Sequence, residues 1–127
     1  MAYIIACLMA SLSFLLNRML LKCIGNLTII TLSPVVEEMA KTLLSFYLGA
    51  DVLATHIVFG LLEAVYDWQG SQNKLKAAAL SIIGHSLFGL VTVGVFYLSV
   101  NIWLGLAVGI VTHLIWNFAV LQVFSRG

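Results

Sequence analysis

The feature that most limits what this chain can become is the repetition of long apolar runs separated only by short polar breaks. The runs extend approximately over Ala2–Leu16, Cys23–Leu48, Val52–Trp68, Ala77–Leu98 and Trp103–Phe124. The hydrocarbon layer of a bilayer is about 30 Å thick and takes about 20 helical residues to cross. Runs of this kind read as membrane helices, the first and third short enough to tilt or to thin the layer around them. Composition agrees, with 62% of the 127 residues hydrophobic and 9% charged, against roughly 45–50% and about 25% in soluble domains. A soluble fold this small could not cover so much apolar surface, whereas lipid can. The expected fold is all-α: one domain over residues 1–127, a multi-pass transmembrane helical bundle of about five membrane helices, with membrane lipid as its surroundings.

The breaks set an orientation. Arg18 and Lys22, Lys74 and Lys76, and Arg126 are separated by even numbers of crossings and fall on one side, which the positive-inside tendency makes the cytoplasm. Asp51 and Asn101 fall on the other, so the expected protein sits in the cell membrane with its N-terminus outside and its C-terminus cytoplasmic. The first run lacks a basic start and an A-x-A-like cleavage site and reads as a retained segment. Pro34 either kinks the second run or, with Ser33 as N-cap, starts a helix after a short or re-entrant piece over residues 24–32. A net charge of +1 without a basic stripe argues against nucleic acid as a partner. Cys7 and Cys23 lack CxxC spacing and read as packing residues.

Ionisable side chains cost several kcal/mol in hydrocarbon unless paired or hydrated, so each one inside a run is a candidate site residue. Glu37, Glu38 and Lys41 lie in the second run, Glu63 and Asp67 in the third, His85 in the fourth, and His113 with Asn117 in the fifth. Five crossings place Glu37, Glu38 and His113 near mid-depth, His85 slightly toward the cytoplasm and Asn117 one turn below His113. Helices delivering polar groups to one height imply a central, water-filled polar cavity opening toward the cytoplasm. Glu37 with Lys41, and His113 with Asn117, are each four apart and share a helical face. Lys41 is expected to balance Glu37 or Glu38. Gly60, Gly84, Gly89, Gly105 and Gly109 let backbones approach closely, and glycine-lined faces also suit pairing with a second copy in a homo-oligomer. His56 reads as a packing histidine, Asp67 and Trp68 as interface markers, and Glu63 as either cavity lining or an interfacial, snorkelling side chain.

A carboxylate beside an imidazole in a dry pocket can act as general base toward water, while a second imidazole and an amide donate to a developing oxyanion. Two glutamates, two histidines and an asparagine therefore suffice to hydrolyse an amide inside the membrane. Ser86, adjacent to His85, points away and is no nucleophile. Glu37, His85 and His113 would equally suit a divalent metal such as zinc, although HExxH is absent.

These residues resemble a known family. Pro34-Val35-Val36-Glu37-Glu38-Met39-Ala40-Lys41 looks like the PxxEExxK motif of PrsW-type intramembrane proteases, relatives of the CAAX prenyl endopeptidase and bacteriocin-processing (CPBP, or Abi) membrane enzymes. Phe59-Gly60-Leu61-Leu62-Glu63-Ala64-Val65-Tyr66 resembles their second, glutamate-bearing helix. Gly84-His85-Ser86-Leu87-Phe88-Gly89 is similar to the third motif, and His113-Leu114-Ile115-Trp116-Asn117 to the closing HxxWN. The resemblance covers a core of residues 33–118. It implies antiparallel membrane helices around a cavity, with Glu37 polarising the hydrolytic water and His85 assisting. It further implies an oxyanion site at His113 and Asn117, with Glu38 and Lys41 orienting the set, and as substrate a membrane-embedded or lipid-proximal peptide or protein. Two alternatives stay open from the residues alone. One is a binding or transport protein using the carboxylates and histidines for protons or cations, and the other is a non-catalytic membrane scaffold.

Overall fold

A computed structural model describes residues 1–24 and 31–125, and among them every regular element is helical. Helix α1 spans Ala2–Ile24. A second rod comprises α2 (Leu32–Met39), a π-helical segment over Ala40–Leu44 and the short α3 (Ser45–Tyr47). Then come α4 (Val52–Gly70), α5 (Lys74–Ser99) and α6 (Ile102–Ser125). Three helices, α1, α5 and α6 up to Val123, are long and apolar enough to cross a membrane, which points to a membrane protein. The other two expected spans fall short among the described residues. The second rod is brief and carries Glu37, Glu38 and Lys41, and α4 carries His56, Glu63 and Asp67.

The helix boundaries follow from local chemistry. Gly49 adopts a left-handed φ of 72° in the turn before α4, and the Asp51 carboxylate then caps that helix by accepting the Ala54 N–H at 2.7 Å. Asn101 Oδ1 accepts from the N–H groups of Trp103 and Leu104 at 3.0 and 3.2 Å, starting α6. Between α5 and α6 stands Val100 at φ 55°, a conformation that a β-branched residue adopts only under strain.

Two expectations are corrected here. Asn17 to Lys22 is not a break, because α1 continues through it to Ile24. Pro34 neither kinks a helix nor takes its first position. The helix begins at Leu32 after Thr31, so Pro34 sits in the first turn, where a missing N–H costs little, and the backbone irregularity is the π-helical segment that begins at Ala40, two residues past Glu38. Most of the expected 24–32 piece, and Arg126, lie outside the described residues.

The largest contact is between α4 and α5, followed by α5 with α6 and α1 with α4. Small residues make these approaches possible. The buried face of α1 is Ala6, Ala10, Ser13 and Asn17, spaced four, three and four apart. On α6, a Cβ at Gly105 would stand 2.6 Å from the Thr92 carbonyl oxygen, and on α5 a Cβ at Gly89 would stand 2.7 Å from the Cβ of His56. Large apolar side chains point outward on every long helix, from Ile4 and Leu8 to Ile115 and Phe118, as a lipid solvent permits.

Candidate active site

One end of the bundle gathers the C-terminal parts of α1, α4 and α6 and the N-terminal parts of α2 and α5. A cavity of about 330 Å³ enters there, lined near its mouth by Leu21, Ser71, Ala77 and Leu121. Deeper in, Glu37, Glu63, His85, His113 and Asn117 line it, together with Asn17. The same end carries Arg18, Lys22, Lys74 and Lys76.

The floor is organised by Lys41, whose side chain is fully buried. A π-helical segment widens the turn, and Lys41 lies within it, four residues after Glu37 and three after Glu38. Its ammonium reaches Glu37 Oε1 at 3.1 Å and Glu38 Oε1 at 2.7 Å, so it balances both carboxylates rather than one of them. It also donates to His85 Nδ1 at 3.0 Å and lies 4.4 Å from the centre of the Phe59 ring. An ammonium has only protons to give, so Nδ1 is the acceptor and the His85 proton sits on Nε2. That N–H donates to Glu63 Oε2 at 2.5 Å. Glu63 is thereby a cavity residue and not a snorkelling one.

Glu37 faces the cavity with its second oxygen, Oε2, accepting from Asn17 Nδ2 at 2.9 Å, while the Asn17 carbonyl accepts from Ser33 Oγ. Glu38 points the other way. His113 Nδ1 donates to Glu38 Oε1 at 2.9 Å, which leaves His113 Nε2 for the cavity. Aromatic walls hold the imidazoles: Phe88 stacks on His113 at 4.2 Å between ring centres, and Phe59 meets His85 edge-on at 4.8 Å. The two imidazoles stand 5.3 Å apart and nearly perpendicular. Asn117, one turn beyond His113, lines the cavity, and no described residue hydrogen-bonds its amide.

Glu37, His85 and His113 thus converge. Within that group His85 hydrogen-bonds Glu63 and Lys41 and stands 3.7 Å from Glu37 Oε1. The compact acid–imidazole group is Glu37, Glu38 and His113, with ligand atoms within 4.8 Å of one another, rather than Glu37, His85 and His113. Lys41 already supplies a cation to both of its carboxylates, so a divalent ion there would face an ammonium at close range.

Sequence reasoning missed several contributors. Asn17 and Ser33 escaped because the Asn17-Arg18 pair read as a loop, although the small-residue stripe of α1 ending at Asn17 was a usable signal. Asp67, read as an interface marker, lines the cavity and accepts from Ser81 Oγ at 2.6 Å. His56, read as packing with nothing polar nearby, is fully buried 3.7 Å from Glu38 Oε2. Compared with protein-family models, curated proteins and solved structures, the chain finds no match.

Proposed function

We propose that this chain is an intramembrane endopeptidase of glutamate type, akin to the PrsW and CPBP enzymes its motifs resemble. The single observation that carries the reading is that Glu37, His85, His113 and Asn117, from α2, α5 and α6, face one polar-floored cavity inside an apolar helical bundle. In this reading α4 and the Leu32–Tyr47 rod cross the bilayer with the three apolar helices, their charges turned inward. The basic end is cytoplasmic, and a membrane-embedded peptide enters from there.

Glu37 accepts a proton from a water in the cavity, and the water oxygen bonds to the scissile carbonyl carbon. The charge on the former carbonyl oxygen is met by the Asn117 amide and by His113 Nε2. With Nδ1–H held by Glu38, the His113 ring is oriented with Nε2 toward that charge, and it donates from Nε2 as an imidazolium. The C–N bond then breaks, and the proton taken by Glu37 passes to the leaving amine. Lys41 and Asn17 hold Glu37 in place, and Glu63 fixes the His85 tautomer. The ammonium of Lys41 between the carboxylates favours a metal-free route over a zinc ion.

Purified protein offered a library of membrane-embedded peptides tests this directly. Wild type is expected to cut a subset, Glu37→Gln to cut none of them, and equal cutting by the two would refute the assignment. Proton or cation transport keeps one observation in its favour, the continuous polar chain Glu63–His85–Lys41–Glu38–His113. It would show as pH-driven flux in liposomes without peptide cleavage.

A further inference from the structure

Five buried side-chain polar atoms lack a partner among the described residues, and three of them, Glu38 Oε2, His56 Nδ1 and Thr92 Oγ1, lie together behind the floor of the cavity. All three side chains are fully buried. His56 Nδ1 is 3.7 Å from Glu38 Oε2, too far for a direct hydrogen bond. Thr92 meets them across Gly109: a Cβ there would collide with Thr92 Oγ1 and stand 3.7 Å from Glu38 Oε2, so the bare Cα admits the Thr92 hydroxyl to the space beside the carboxylate.

Two further details show what chemistry fits that space. Thr112, Ser11 and Ser99 each donate to the carbonyl one turn earlier at 2.7–2.8 Å, the usual resting place of a helical hydroxyl, but Thr92 does not. Its proton is free for something in the space. His56 Nε2 lies 3.3 Å from Thr42 Oγ1, and when it donates there Nδ1 presents a lone pair toward the carboxylate. Two acceptors and one donor then surround one small volume.

We propose that Glu38, His56 and Thr92 bind a single internal water, which accepts from Thr92 Oγ1 and donates to Glu38 Oε2 and His56 Nδ1. One water with three partners is the common pattern for buried solvent. It completes the carboxylate whose other oxygen holds Lys41 and His113, making His56 and Thr92 positioning residues for the Glu38–His113 pair. The water site stands on buried geometry alone, whereas its effect on turnover rests on the proteolytic reading.

Thr92→Val tests the site through the sign of one measurement. An orphaned buried hydroxyl is relieved when an isosteric methyl replaces it, raising the melting temperature, whereas removing a partner of a bound water lowers it. The expected result is a fall of about 3–6 °C, with Thr92→Ser close to wild type. In 15N-histidine-labelled protein the ring resonances of His56 and His113 shift in Thr92→Val and return in Thr92→Ser. A rise in melting temperature, or unmoved histidine resonances, overturns the proposal. Equal melting in sodium, potassium and choline buffers is expected, and dependence on the cation would assign the space to an ion instead. If peptides are cut, Thr92→Val lowers kcat at unchanged KM. If none are cut, the thermal and NMR results still decide the water.

Discussion

Glu37 lies in the half of the site that opens on the cavity, where its second carboxylate oxygen is steadied by Asn17 and its surroundings include Glu63, His85 and Asn117. Glu38, its neighbour in sequence, lies in the sealed half among Lys41, His56, Thr92 and His113, with no exposed surface. One lysine is bonded to both. The contrast teaches how a short helix can divide labour: adjacent residues point about 100° apart, so one faces reactants while the other faces the packing that holds a partner group in place. Under the proposed function the first is the base and the second is scaffolding for His113.

The largest expected effect comes from exchanging the two halves' chemistry one at a time. Glu37→Gln should abolish peptide cleavage by about 10³-fold or more while the protein still melts cooperatively, because a general base contributes that order of rate. Glu38→Gln should reverse the balance. It leaves a base in the cavity but removes the carboxylate that pairs with Lys41 and His113, so the loss of melting temperature should exceed that in Glu37→Gln. Parallel cleavage and thermal-melt measurements on the two variants would check this. If both glutamines lose activity and stability equally, the division between halves is wrong.

Lys41→Met strikes the shared element. It strands two carboxylates of 4% and 0% exposure without their cation, a change expected to destabilise by about 3–5 kcal/mol. Thermal melting in detergent and the yield of folded protein would report it, and a mild effect would mean that the histidines already carry the compensating charge. A smaller loss follows in the open half from Asn17→Leu, about 1–3 kcal/mol for a carboxylate oxygen deprived of its donor. Here KM and kcat should be compared, since a displaced Glu37 lowers kcat first.

Those same residues show what could be read beforehand. Glu37 with Lys41 and His113 with Asn117 were visible because spacing within one helix fixes which side chains share a face. The breaks at Gly49–Asp51 and Ser99–Asn101 were visible as short polar interruptions between apolar runs, while the capping roles of Asp51 and Asn101 came only with the structure. The environments of Glu38 and His56 were not, since they depend on how α4, α5 and α6 rotate about their own axes, and apolar residues on every side of these helices leave that rotation unmarked. His85 illustrates the same limit. The sequence set Glu37 and Glu38 near its depth and left Glu63 open between cavity and interface, and its short bond to Glu63 is decided by the close α4–α5 approach at Gly60 and Gly89. The π-helical turn that carries Lys41 has no marker in sequence, because Ala40 to Leu44 are ordinary helix formers.

The smallest effect asks whether the two halves are separable from the rest of the bundle. Val100 links α5 to α6 at the end opposite the cavity mouth, exposed and held at φ 55°. A β-branched side chain in the left-handed region is strained by about 1–2 kcal/mol, and glycine removes that strain while surrendering part of the gain to its greater freedom in the unfolded chain. Val100→Gly should therefore raise stability by about 0.5–1 kcal/mol, read as a higher melting temperature. Because the turn touches neither glutamate, cleavage rates and histidine resonances should stay at wild-type values. A changed rate would mean that the α5–α6 connection sets the spacing of His85 and His113, and that the site is tuned by the whole hairpin rather than by the Lys41 floor.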